Sequence, residues 1–98
     1  MKKWVMPVLD LQGSDKQVKW ATEIISDIYS TANINVSRAH ENRWPNAEKF
    51  EEAFDMIISQ LECFLSKEDR AGVIITCREK FSGERILNLA NKYVNAGI

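Results

Sequence analysis

Apolar positions recur at three- and four-residue steps through most of the chain. Val18, Ala21, Ile25, Ile28, Tyr29 and Ala32 line one face of a first segment, the period of a helix that buries one side. Trp20 and Ile24 widen that face. Ser14, with Gln17 three residues on, forms a helix-entry pattern, and Asp15 suits the positive end of a helix dipole. Residues 30–42 admit two readings. Ala32, Val36 and Ala39 continue the face to about Asn42, whereas Asn33 and Asn35 are weak helix formers and tilt the balance towards a break near Asn33.

After Pro45 the pattern is cleaner. Phe50, Ala53, Phe54, Ile57, Leu61, Phe64 and Leu65 keep helical spacing, flanked by Met56 and Ile58, and predict a helix from Ala47 to about Leu65. Asn46 is its expected cap. Ser66-Lys67-Glu68-Asp69 resembles a further cap. The run Val73-Ile74-Ile75-Thr76 favours a strand by composition. Its position between two caps, and the lack of a clear partner strand, favour helix, leaving a short strand at 73–77 as the alternative. Ser82 caps a last helix, whose inner face is Ile86, Leu89, Ala90 and Tyr93 and whose end is marked by Gly97. Met1 to Gln12 is too apolar for a free tail. Pro7 bars a helix interior there, so an extended arm anchored by Trp4, or a short edge strand, is expected. The fold class is therefore mainly α: a single domain, 1–98, built as a bundle of three to four helices with an extended N-terminal arm.

Ninety-eight residues bury one modest core and leave little room for a deep cleft. The net charge of −1 gives no global pull towards nucleic acid or anionic membrane. No run of about 18 apolar residues is present, so no membrane span is expected. The opening MKKWVMPVLDLQG starts like a signal peptide, but Pro7 and Asp10 interrupt its apolar run and no small-residue cleavage site follows. Cys63 and Cys77 lack CxxC spacing, and free, buried thiols in the cytoplasm are expected.

The stretch GSDKQVKWATEI resembles the opening of short, uncharacterised proteins of bacterial phages and integrative elements. Their pattern is roughly Gly-Ser-x-Lys-Gln-x-x-Trp-Ala-x-x-Ile, matched here by Gly13, Ser14, Lys16, Gln17, Trp20, Ala21 and Ile24. Ile25 stands where those proteins usually carry Arg. RAGVIITCREKF resembles a second family stretch through Ile75 and Arg78 only. The likeness spans about a seventh of the chain. It implies a mobile-element origin and carries no activity with it.

Charge is segregated along the chain. Residues 1–20 hold four basic and two acidic side chains, residues 46–69 hold two and seven, and residues 70–98 hold five and two. The acidic side chains Glu48, Glu51, Glu52 and Asp55 share the outer side of the second helix and read as solvated. Such a strip suits a basic protein partner and imitates a phosphate backbone. Arg43 and Trp44 beside Pro45 form either a core lid or, if exposed with His40, a binding hot spot. The expected function is a non-catalytic protein-binding module, an inhibitor or adaptor of a nucleic-acid machine in the manner of an anti-CRISPR protein, acting through that acidic face and Arg43 and Trp44. The alternative is a nucleic-acid accessory protein using Lys16, Lys19, Arg78, Lys80 and Arg85, with Arg70 in the same basic set and Trp4 or Trp44 for stacking. A small enzyme built on His40 with Cys63 or Cys77 ranks third. One histidine and two separated cysteines lack zinc-site spacing, the four glycines form no phosphate loop, and no cofactor is expected.

Overall fold

Ser14 opens the first helix, α1 (Asp15–Glu41), with a complete capping box. Its hydroxyl accepts from the Gln17 backbone N–H at 3.2 Å, and the Gln17 side chain accepts from the Ser14 N–H, also at 3.2 Å. The computed structural model describes residues 3–95, with the backbone alone at position 81. α1 is followed by α2 (Ala47–Lys67), α3 (Ala71–Thr76), a 3₁₀ turn (Arg78–Phe81) and α4 (Gly83–Asn95). No strand occurs among the described residues; a single parallel bridge joins Gln12 to Arg70. The fold is the helical bundle with an extended arm that the periodicity predicts. Gly97, the expected end of α4, lies outside the described residues.

One core cluster unites Trp4 of the arm with residues of all four helices. Phe54, Ile25, Ile28, Ile58, Ile74 and Val36 are fully enclosed. Buried alanines, Ala21 and Ala71 among them, let α1 and α3 approach closely. α2 packs on both α1 and α4. At about 1.5 Å per residue, the 27 residues of α1 account for most of the 45 Å long axis of a body 22 by 20 Å across.

Several expectations are corrected. α1 does not break at Asn33: the Asn33 amide is a two-pronged clamp on the arm. Its Oδ1 accepts from the Trp4 N–H at 2.9 Å, and its Nδ2 donates to the Trp4 carbonyl at 2.8 Å. Tertiary hydrogen bonds thus outweigh a small propensity penalty. At 73–77 the favoured reading holds: the run is helical through Thr76, with Ala71 and Ile74 buried in the core, and the alternative short strand does not form. Asn46 makes no side-chain cap. Ser66 lies inside α2, and its hydroxyl donates to the Cys63 carbonyl at 2.6 Å. Ile58 is a core residue, whereas Ile57 is only partly buried. Leu89, expected inside, is 51 % exposed.

The arm is pinned at both ends. The Trp4 ring is buried beside Phe54, and its indole N–H donates to Asp55 Oδ1 at 3.1 Å. At the other end Gln12 donates to the Asp69 carbonyl at 2.7 Å and accepts from the Ala71 N–H at 2.8 Å. Val5 and Val8 between them stay exposed.

Candidate functional site: the turn between α1 and α2

The end of α1 is closed by its backbone. The Trp44 N–H reaches back to the Ala39 carbonyl at 2.9 Å, and the Arg43 N–H reaches the His40 carbonyl at 3.1 Å. This paired closure needs a left-handed residue after the cap, usually glycine. Here that residue is Arg43, at φ 53°, the one non-glycine with positive φ among the described residues. A side chain in this conformation costs roughly 1–2 kcal/mol. The turn therefore carries strain that glycine would relieve.

Trp44 follows directly. It covers the core only in part: it is 47 % exposed, and its ring meets the buried Phe50 ring in a T-shaped pair at a centroid distance of 6.0 Å. Arg43, Trp44, His40, Asn46, Glu48 and Lys49 line one shallow depression of 440 Å³. Trp and Arg are both among the residue types enriched at binding hot spots.

The four acidic side chains of α2 share one face by spacing, but the fold directs them differently. Glu48 and Glu52 are exposed. Glu51 is partly buried, with Oε1 3.6 Å from His40 Nε2, an ion pair when the imidazole is protonated. Asp55 is partly buried and holds the Trp4 indole. Glu52 adjoins Tyr93, whose phenol is pushed above its usual range by burial first and by that carboxylate second. The expectation of four solvated carboxylates is therefore corrected for Glu51 and Asp55. Of the four, Glu48 lines the depression at Trp44, and exposed Glu52 follows one helical turn further along α2, beside Tyr93.

The basic candidates Lys16, Lys19, Arg70, Arg78, Lys80 and Arg85 are all exposed. The Arg78 guanidinium lies 5.2 Å from the centre of the Trp20 ring, and Lys16 sits one helical turn before Trp20 on the same face. Glu23 and Asp27, both exposed, continue that side of α1. Beyond them the start of α4 lies against Thr31. Lys19 lies to the side of Trp20. Lys80 belongs to a groove that also holds Cys77. Arg70 is paired with Glu68 through two contacts of 2.9 Å, which draw the Glu68 carboxyl below its usual range.

Trp20, read from its spacing as an extension of the core face, is 47 % exposed. Its environment comes from Arg78, far along the chain. Trp4, a stacking candidate by composition, is buried. The GSDKQVKWATEI stretch thus divides in two. Gly13, Ser14, Gln17 and Ala21 build the turn, the cap and the core, whereas Lys16 and Trp20 remain on the surface.

Both thiols are free, but the expectation that both are buried is corrected: Cys63 is exposed and Cys77 partly so. The depression holding His40 contains neither thiol, and the groove holding Cys77 does not include His40. Among the described residues no three of His, Cys, Asp and Glu gather as a metal site, and no helix is long and apolar enough to cross a membrane. No family model, curated protein or solved structure matches this chain.

Proposed function

We propose that the chain is a non-catalytic protein-binding module. It presents Arg43 and Trp44, with Glu48 and Glu52 alongside, to a basic surface on a partner. The observation that carries this reading is Arg43 in a strained left-handed conformation immediately before a half-exposed Trp. Folding alone favours glycine at the first position and a covered ring at the second. Strain held at a surface turn is a mark of function. The likeness of Gly13–Ile24 to phage and integrative-element proteins supports a partner within a nucleic-acid machine, which the chain would inhibit or adapt in the manner of anti-defence proteins.

Affinity capture from host lysate, quantified by mass spectrometry, tests this reading. Trp44→Ala, and Glu48→Lys combined with Glu52→Lys, should each lower recovery of one partner at least tenfold. Lys16→Glu with Arg78→Glu should leave recovery unchanged. The opposite pattern favours a second reading, a nucleic-acid surface at Lys16, Trp20 and Arg78. It is supported by the guanidinium stacked on an exposed indole. That surface would bind single strands by stacking on Trp20, with a shallow salt dependence set by its two cations.

A further inference from the structure

Between α2, the 3₁₀ turn and α4 runs an apolar groove of 340 Å³. Ile28, Ile57, Leu61 and Ile86 form its floor, and half-exposed Leu89 stands as one wall. A smaller depression of 160 Å³ shares Ile57, Gln60 and Leu89 with it and continues it towards Met56 and Tyr93. The polar groups on the groove are Gln60, Cys77 and Lys80. Lys80 is exposed and takes part in no ion pair among the described residues. An exposed cation lining an apolar groove complements a molecule with a greasy tail and an anionic head.

We propose that this groove binds a single-chain amphiphilic carboxylate. The alkyl chain lies over Ile57 and Ile86 against the wall formed by Leu89, and the head group pairs with the Lys80 ammonium and accepts from the Gln60 amide. The volume decides for one alkyl chain, since it sits at the low end of the roughly 300–1,000 Å³ typical of ligand sites. The charge decides for an anion. The site lies apart from the Trp44 turn and does not rest on the protein-binding reading.

The two thiols make the test internal to the molecule. Cys77 lines the groove, whereas Cys63 is exposed and is not among its lining residues. Dodecanoate, kept below its micelle concentration, should slow alkylation of Cys77 by iodoacetamide and leave Cys63 unchanged. From octanoate to dodecanoate, protection should strengthen about three- to four-fold per methylene. Lys80→Glu should weaken dodecanoate at least tenfold and turn the preference towards dodecyltrimethylammonium. Leu89→Trp, at a half-exposed position, should block the groove with an unchanged helical circular-dichroism signal. Equal protection of both thiols, indifference to chain length, or a Lys80→Glu variant that binds dodecanoate normally would overturn the proposal. So would protection by anionic phospholipid vesicles without any by the monomeric carboxylate.

Discussion

Replacing Asn33 with alanine separates local from tertiary control of α1. By helix propensity alone the change is favourable, by about 0.5 kcal/mol. The structure predicts the opposite. Asn33 makes two hydrogen bonds to the backbone of Trp4, at 2.9 and 2.8 Å, and each contributes about 1 kcal/mol net. Subtracting the propensity gain leaves a destabilisation of about 1.5 kcal/mol. Urea unfolding followed by circular dichroism resolves that difference. The effect should reverse in a Trp4→Ala background, where the arm has lost the ring that holds it. There Asn33→Ala should stabilise by about 0.5 kcal/mol. Asn33→Asp should cost more than alanine, because it sets a carboxylate oxygen against the Trp4 carbonyl. A stabilising Asn33→Ala in the unaltered protein, or an equal cost in both backgrounds, refutes the clamp.

Two glycines should respond with opposite signs. Gly13 has φ 152°, and a Cβ there would meet Gln17 Oε1 at 2.9 Å and Ala71 Cβ at 3.3 Å, so Gly13→Ala should cost about 2 kcal/mol in urea unfolding. Gly72 lies in α3, where a Cβ would meet Gln17 Nε2 at an ordinary 3.8 Å, and Gly72→Ala should gain about 0.5 kcal/mol in the same assay. Burial, reinforced by the Glu62 carboxylate that accepts its hydroxyl at 3.3 Å, pushes the Tyr29 phenol up to about 12 from 10. Its folded value exceeds its unfolded one, so its contribution to stability is complete below pH 10 and is lost as pH rises to about 12. Denaturation midpoints across that range should show this component in the parent and lack it in Tyr29→Phe. Trp4→Ala should cost about 3–5 kcal/mol and open the arm to proteolysis between Val5 and Leu11.

The helices were legible because their apolar spacing is regular and the cap at Ser14 is complete. What the pattern could not supply was partners distant in sequence. Asn33 looked like a breaker because propensity counts the cost of its amide within a helix but not a carbonyl 29 residues away. The β-branched run at 73–76 left a strand open by composition alone; its position between two caps pointed to the helix, whose Ala71 and Ile74 join the core. Ser66 resembled a cap, but α2 simply continues through it. The candidate site was legible in its residue types and not in its grouping. The i, i+3, i+4, i+7 spacing put four carboxylates on one face, and only tertiary packing turns Glu51 to His40 and Asp55 to Trp4. The strain at Arg43 and the Arg78–Trp20 stack leave no trace in a one-dimensional pattern.

Arg43→Gly joins the strain at the turn to its proposed use in one variant. Glycine relieves a left-handed cost of roughly 1–2 kcal/mol and adds about 0.5–1 kcal/mol of chain entropy. The variant should therefore be about 0.5–1 kcal/mol more stable in urea, yet recover at least tenfold less partner in affinity capture. A variant that gains stability and keeps full partner recovery, or that gains no stability, contradicts a binding role for this turn.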